Sequence, residues 1–412
     1  MTDWRQVSIE ELCVRVTSGG TPSRKRPDYY VDEGIPWVKS KELVEARITA
    51  TEEHISEEGL ARSSAKLLPP GTVLLAMYGA NVGQLGWLGM EAAVNQAVCA
   101  MVTDPNVTDA RFLYYALAGA RSSLTAKAHG AAQQNLSQQL IKSFAVSVPS
   151  IEAQQRIGGT LRAIDDLIEN NRRRVELLEQ MARAIYREWF VHFRYPGHES
   201  VPLVDSPLGP IPQGWKVHRV DNLVEIIKET VDPSSIDPET PAVGLEHIPR
   251  QQLTLDSWGN AGDQGSRKAM FAKGDILFGK IRPYFHKVSV APFSGISSTD
   301  AIVIRPHDSS WGQLVLTVSS SEFVAHATQS SNGTKMPRAD WNVIGQWQVS
   351  VPPPGLSEEF SELVREHLEM AEELMLQNLA LSSLRDLLLP KLVTGQIDVS
   401  DLNWEAWAGD SV

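Results

Sequence analysis

Residues Ile157–Trp189 read IGGTLRAIDDLIENNRRRVELLEQMARAIYREW, and the spacing of their apolar positions decides the fold. Ile157, Leu161, Ile164, Ile168, Asn171, Val175, Leu178, Ala182, Ile185 and Trp189 alternate at intervals of four and three. That is the seam of a helix burying one stripe against another helix. A second run has the same form: Phe360, Leu363, His367, Met370, Leu374, Gln377, Leu381, Leu384 and Leu388. Adding 206 to each seam position from Leu161 through Ala182 lands on this second seam, and even the polar break Asn171 maps onto Gln377. His367, on the seam itself, reads as a register-setting break rather than a ligand. At about 1.5 Å per residue, some 35–40 residues make a rod of roughly 50–60 Å. Two such rods in one chain most simply pair, with Ile164, Ile168, Asn171, Val175 and Leu178 of one facing Met370, Leu374, Gln377, Leu381 and Leu384 of the other.

Outward from the helices the chain is written twice. Asp3-Trp4-Arg5-Gln6-Val7 before Ile9-Glu10-Glu11-Leu12 matches Gly214-Trp215-Lys216-Val217 before Val220-Asp221-Asn222-Leu223. Gly71-Thr72-Val73-Leu74-Leu75 matches Gly274-Asp275-Ile276-Leu277-Phe278, and each half closes on a β-type run ending at Pro149 or Pro352. Strands are predicted over Thr72–Met77, Val94–Val102, Asp275–Phe278, Lys287–Val290 and Ala301–Arg305, with short helices at Ala110–Ala120 and near Trp311–Ser320. The link after the first helix holds Pro196, Gly197, Pro202, Pro207, Pro210 and Pro212, the composition of a linker. The expected architecture is therefore α/β (α+β): a globular unit at 1–149, a helix at 150–195, a linker at 196–213, a second unit at 214–352, a second helix at 353–397 and an acidic tail at 398–412. The order unit, helix, linker, unit, helix suits an antiparallel coiled coil with pseudo-twofold symmetry.

The 412 residues hold 42% apolar and 21% charged side chains, ordinary for a globular chain rather than a disordered one. Two cysteines, Cys13 and Cys99, are too few for a disulfide framework or a Cys-rich zinc site and point to a reducing compartment. No apolar stretch approaches the roughly 20 residues that span a bilayer, and Met1-Thr-Asp-Trp-Arg-Gln lacks the basic and apolar regions of a secretory signal. A cytoplasmic location with no membrane partner is expected. The net charge of −12 argues against nucleic acid at first sight, but residues 350–412 carry 12 acids against 3 bases. Both large segments are nearly neutral and free to present basic faces. There is no phosphate loop, dinucleotide fingerprint or zinc-binding His-Glu-x-x-His, no Asn-Pro-Pro-Tyr of the kind that grips a base for methylation, and no arrangement of Cys, His and Asp suited to a nucleophile. A catalytic chain is disfavoured, and no bound cofactor or metal is expected.

Two basic and aromatic stretches are candidates for nucleic acid. Thr17-Ser-Gly-Gly-Thr-Pro-Ser-Arg-Lys-Arg-Pro-Asp-Tyr-Tyr30, followed by Trp37-Val38-Lys39, is a loop by composition. It supplies Ser23, Arg24, Lys25, Arg26, Tyr29 and Lys39, with Tyr78 and Asn81 from the glycine-dense loop after the Gly71 strand. Between 267 and 287 stand Arg267, Lys268, Lys273, Lys280, Arg282 and Lys287 against the single acid Asp275, interleaved with Phe278, Tyr284, Phe285 and His286. Lys335 and Arg338 follow in a loop whose first-half counterpart holds Gln133 and Gln134, amides suited to adenine edges. The predicted contacts are thus Ser23, Arg24, Lys25, Arg26, Tyr29, Lys39, Tyr78, Asn81, Gln133, Gln134, Arg267, Lys280, Arg282, Tyr284, His286, Lys335 and Arg338. Arg172-Arg173-Arg174, outside the seam, reads as a solvated face or as one turned to phosphates.

Ser18-Gly-Gly-Thr-Pro-Ser23, Ile35-Pro-Trp-Val-Lys-Ser40, Ala76-Met-Tyr-Gly-Ala80, Asn95-Gln-Ala-Val98 and Gln134-Asn-Leu-Ser137 appear in order. Gly274-Asp-Ile-Leu-Phe-Gly-Lys-Ile-Arg-Pro-Tyr284, Ser298-Thr-Asp300, Gly333-Thr-Lys-Met-Pro-Arg338 and Leu384-Arg-Asp-Leu-Leu-Leu-Pro-Lys-Leu-Val-Thr-Gly-Gln-Ile397 complete the set. In this joint order the chain resembles the specificity subunits of Type I restriction-modification systems over essentially its whole length. The resemblance implies two target recognition domains that each read half of a bipartite, asymmetric double-stranded DNA site, with the paired helices as the ruler between them. It implies a non-catalytic role in host defence beside two modification subunits, which methylate adenine with S-adenosylmethionine, and restriction subunits that use ATP and Mg. The rod length agrees, since half-sites one DNA turn apart are separated by about 34–36 Å. A purely structural coiled-coil scaffold would explain the seams but not the basic aromatic loops.

Overall fold

Both seams are helices in the computed structural model, which describes residues 4–44, 47–127, 135–333 and 335–399. The first runs Ile151–Tyr186 and ends in a π-helical turn, Arg187–Val191, and the second runs Pro354–Val393. The chain divides into two units, one made of Met1–Leu167 with Ser382–Val412, the other of Ile168–Leu381. Each long helix therefore contributes to both units.

In the first unit a five-stranded sheet has the order Cys13–Ser18, Val98–Thr103, Val73–Ala76, Leu85–Leu88, Arg47–Ile48. In the second, Val224–Ile227, Ala301–Pro306, Ile276–Gly279 and Val288–Val290 follow the same order without the last strand. A strand with side chains on alternating faces separates two cores. Val73, Leu75 and Met77 join Phe112, Leu113 and Leu117 of the helix Ala110–Gly119, while Leu74 and Ala76 join Val38 and Leu43. Ile276 and Phe278 likewise face the helix Trp311–Val318, and Leu277 faces Val243 and Phe271. Each unit adds a second sheet with one parallel pair, four-stranded in the first with Trp37 opposite Ala93, and five-stranded in the second with Ala242 opposite Ile296. The strand predicted over Val94–Val102 is two, because the Asn95 side chain accepts from Ala97 N–H at 3.1 Å and turns the chain between Ala93–Val94 and Val98–Thr103.

Within the second unit, contacts advance along one helix as they retreat along the other. Trp189 and Phe190 meet Phe360 at ring separations of 5.3 and 4.6 Å. Val175 packs on Ala371, Leu374 and Met375, and the Asn378 amide donates to Ile168 O at 3.2 Å. In the first unit Asp165 meets Arg385 at 3.0 Å, and Arg156 donates to the Val399 carbonyl. The helices are antiparallel in each.

Most of the first seam is buried, with Glu179 more deeply buried than Leu178, but the second is displaced. Met370 is 52% exposed, Leu384 is 44% exposed and Gln377 faces solvent. The buried stripe is Phe360, Val364, Leu368, Ala371, Leu374, Met375 and Asn378. Two causes combine: an α-helix advances 3.6 rather than 3.5 residues per turn, and the close approach to Val175 takes a small side chain, Ala371, in place of Met370. Asn171 is consequently matched by Asn378, 207 positions on, and not by Gln377. Ile164, Leu178 and Leu381 are half-buried.

Candidate nucleic-acid interface

The basic loop of the first unit is held by backbone contacts that admit no side chain at Gly19, where a Cβ would lie 1.9 Å from Val94 O. Trp37 Nε1 donates to Gly20 O at 3.0 Å and Tyr30 Oη to Pro22 O at 2.6 Å. Over those rings lies Arg24, 4.0 Å from the Tyr30 centroid, and it is paired with Glu53 at 2.7 Å. Arg26 clamps Asp28 through two bonds of 2.9 and 2.6 Å and covers Tyr29 at 4.8 Å. Lys39 is bonded to Glu52 and Glu53 at 3.0 and 2.7 Å, and its ammonium holds the Glu53 carboxyl below the usual range. Acids thus neutralise most of the expected cations, Arg24 and Lys39 from a distant segment and Arg26 from two residues away. Lys25 keeps its charge exposed with no ion pair among the described residues, and Ser23 is exposed beside it. Tyr29 is corrected: it is buried, with its backbone against the short helix Glu57–Ala61, and Lys39 is a structural ion pair rather than an exposed contact. Tyr78 is at the surface, while the Asn81 amide donates to Ser40 O at 3.1 Å. Gln133 and Gln134 lie outside the described residues.

In the second unit two stretches far apart in sequence are zipped together. Ile281 bridges Arg338, Arg282 N–H donates to Pro337 O at 2.8 Å, and Ala339 N–H to Lys280 O at 2.9 Å. Arg282 and His286 flank the turn Pro283–Phe285, both with left-handed backbone at φ 48° and 52°, a conformation that side chains other than glycine adopt only at a cost. His286 is tied by its Nε2 to Ser319 O at 2.8 Å, so it holds the turn rather than presenting its ring. Tyr284 is exposed at the tip and rests edge-on against Phe285. Phe285 in turn lies under Arg250 at 4.3 Å and near Arg282 at 5.9 Å.

Beside this turn runs an open groove of about 530 Å³ lined by Lys228, Thr230, Lys280, Thr299, Asn332 and Arg338 among others, with Asp340 its one acidic side chain. Lys280 donates to Thr299 O at 2.6 Å, and Arg338 reaches Asp300 only at 3.9 Å. Arg267 joins the rim by donating to Thr230 O at 2.8 Å. Lys335 is exposed next to the turn. Lys287 is half-buried and its ammonium donates to Leu245 O; burial first, then neighbouring Arg250, hold it below the usual range. Sequence reading missed Lys228 and Asn332, whose signal was only a lysine just past a strand and an amide in a loop. The groove's lining is largely apolar, with Ile226, Ile227, Ile302, Val303 and Trp341, and Lys228, Lys280 and Arg338 bring three cations to it; with Tyr284 exposed four residues from Lys280, this is chemistry suited to phosphates and base edges. Among the described residues no cluster of acidic, His or Cys side chains is placed to hold a metal, and no helix is long and apolar enough to cross a membrane.

Comparison with known proteins points the same way. The family model for the Type I restriction modification DNA specificity domain matches residues 1–180. The Type I restriction enzyme MjaIX specificity subunit of Methanocaldococcus jannaschii is 25% identical over 97% of this chain and 95% of that protein. The EcoR124I/EcoR124II specificity subunit of Escherichia coli is 27% identical over 44% of this chain and 46% of its own. A crystal structure of the Type I restriction-modification system S subunit from M. genitalium superposes with a TM-score of 0.61 at 15% identity, covering 95% and 96% of the two chains, so the fold is common to both.

Proposed function

We propose, from the premise that this chain belongs to the Type I restriction-modification specificity subunits, that each of its units binds one half of a split, asymmetric double-stranded DNA site. The paired helices set the distance between the halves. In this reading the chain performs no catalysis. Two modification subunits methylate adenine with S-adenosylmethionine, restriction subunits use ATP and Mg, and the assembly works in the cytoplasm. The observation that carries the DNA reading is the backbone pairing of the loops at 280–286 and 332–338, which brings together the segments carrying Lys280, Arg282, Lys335 and Arg338, with Tyr284 exposed on the first of them. Charges left without acidic neighbours release phosphate counterions on binding, whereas Arg26, already clamped to Asp28, contributes little of that kind.

A different surface serves the protein partners. Glu362, Glu366, Glu369 and Glu373 are all exposed on the second helix, and Met370 and Leu376 are exposed among them. An acidic row with apolar neighbours suits a basic, partly apolar face on a modification subunit, with the charges steering encounter. Neutralising the four glutamates is expected to slow assembly, and association rates unchanged at low salt would remove the idea. The functional reading itself is tested by mapping adenine methylation across the source genome with and without the gene. Loss of methylation at one split motif supports it, and an unchanged methylome in a strain expressing all subunits overturns it.

A further inference from the structure

The Glu179 carboxylate, on the first long helix, has a side chain only 3% exposed, and four donors converge on it. Leu253 N–H lies 2.9 and 3.0 Å from its two oxygens, Thr254 N–H is 3.0 Å and Thr254 Oγ1 2.9 Å from Oε1, and Arg183 Nη2 is 3.0 Å from Oε2. The same Arg183 nitrogen also donates to Gln251 O at 3.0 Å. Gln251 is itself in the left-handed region, at φ 59°, so its conformation persists only while neighbours hold it.

From there the segment runs along the strand that carries the reading turn. Gln251 N–H donates to His286 O at 2.9 Å and Arg250 bridges Lys287. Ser289 Oγ donates to Gln252 O at 3.1 Å, and Val290 N–H to Leu253 O at 2.8 Å. Arg250 also covers Phe285, on which Tyr284 rests. An unbroken series of short contacts thus joins a buried helix carboxylate to the turn Arg282–His286.

We propose that Glu179 is a positioning residue for recognition of one half-site: it clamps residues 251–254 to the helix and thereby fixes the Arg282–His286 turn that reads DNA. This rests on the reading of the second unit as a DNA-recognition domain. A buried carboxylate accepting several hydrogen bonds is a stiff anchor, because each lost acceptor leaves a buried donor unpaired. Glutamine in its place has nearly the same shape but turns an N–H toward donors that need an acceptor. Glu179 touches no DNA in this scheme; it controls how sharply the turn discriminates.

The test compares wild type, Glu179→Gln and Thr254→Val in two ways. In cells with all subunits, Glu179→Gln is expected to raise methylation at sites altered in one half of the motif at least about tenfold relative to the correct site, with the other half as strict as before. Thr254→Val removes a single bond to the carboxylate and is expected to give a smaller rise, about threefold. On the purified chain, amide exchange across residues 282–286 should quicken in both variants, with no change across Cys13–Ser18 in the first unit. Unchanged exchange at 282–286, or equal loosening of both halves of the motif, overturns the clamp. If Glu179→Gln does not fold, Thr254→Val decides alone, and a wild-type motif with wild-type exchange rejects the proposal. If wild type directs no methylation to a split motif, the functional reading fails, and exchange still decides whether Glu179 holds the turn.

Discussion

Glu372 offers a direct measure of how the second helix seats the second unit. Its side chain is 12% exposed, and its nearest cation, Lys273 Nζ, stands 3.8 Å away on a side chain that is 61% exposed. Burial pushes its carboxyl up to about 7, against the pull of Lys273 and with a small push from Glu369. The sign follows from proton counting. Between the unfolded value near 4.5 and the folded value, the native chain binds the proton that the unfolded chain has lost, so stability falls as pH rises through that window. At 1.36 kcal/mol per pKa unit the ceiling is about 3 kcal/mol. Water around the exposed Lys273 screens the site and reduces this to about 1–2 kcal/mol. Glu372→Gln removes the titration while keeping the shape. Urea unfolding of both proteins from pH 5 to pH 8 should show the variant gaining about 1–2 kcal/mol on wild type across the range, since every other group titrates alike in the two. A difference that stays flat from pH 5 to pH 8 refutes the reasoning. Lys273→Met should steepen the wild-type fall, because it removes the cation whose attraction holds the carboxyl down.

Three further outcomes are expected. Lys280→Met or Arg338→Met should weaken DNA binding by the assembled complex and lower the slope of log affinity against log salt by about 1 for each phosphate no longer neutralised; a salt titration with an unaltered slope would exclude a phosphate partner for that side chain. Lys25→Ala should weaken binding more than Arg26→Ala does, since only Lys25 is without an acidic partner among the described residues, and filter-binding titrations of the two variants rank them. Replacing Asn171 and Asn378 together by leucine should raise the melting temperature. Asn171 Nδ2 and Asn378 Oδ1 are buried without hydrogen-bond partners among the described residues, and relieving each such atom is worth about 1–3 kcal/mol, offset by the lost bond to Ile168 O. A lower melting temperature would show that the amides contribute more than they cost.

The long helices and the strand beginning at Val73 were legible because periodicity is a local property that side chains write directly. Register was less so. Met370 and Ala371 are neighbours, and hydrophobicity alone favours the larger one as the buried residue; only the closeness of Val175 reverses the choice. The first basic loop misled for a similar reason. Arg24 and Lys39 look free in sequence because Glu53 and Glu52 reach them from segments 29 and 13 residues away, whereas the partner of Arg26, Asp28, stands only two residues on. In the second unit the direction of error was opposite. Lys280 and Arg338, 58 residues apart, become neighbours only through the bridge between Ile281 and Arg338, so two weak signals combine into one surface. Glu179 was invisible, because the seam spacing placed Leu178 at that turn, and a glutamate beside the seam carries no mark of the amides that fold onto it.

The second helix is also built into the core of the first unit. Leu392, Val393 and Val399 are buried in the same cluster as Phe112, Leu113 and Leu117, so the first unit, which begins the chain, is completed by residues from its far end. A Cβ at Gly119 would already lie 3.0 Å from Val393. Truncation after Leu381 removes all three aliphatic side chains, together with Arg385 and its bond to Asp165. Burying one such side chain contributes about 1.5–3 kcal/mol, so the loss is on the order of 5–8 kcal/mol, comparable with the whole stability of a domain. The truncated chain should therefore lose the cooperative unfolding of its first unit while residues 168–381 still melt as one, a difference that calorimetry resolves. Retention of both transitions at their wild-type temperatures would show instead that the first 167 residues fold without the second helix, and that the helix is a spacer and not a wall.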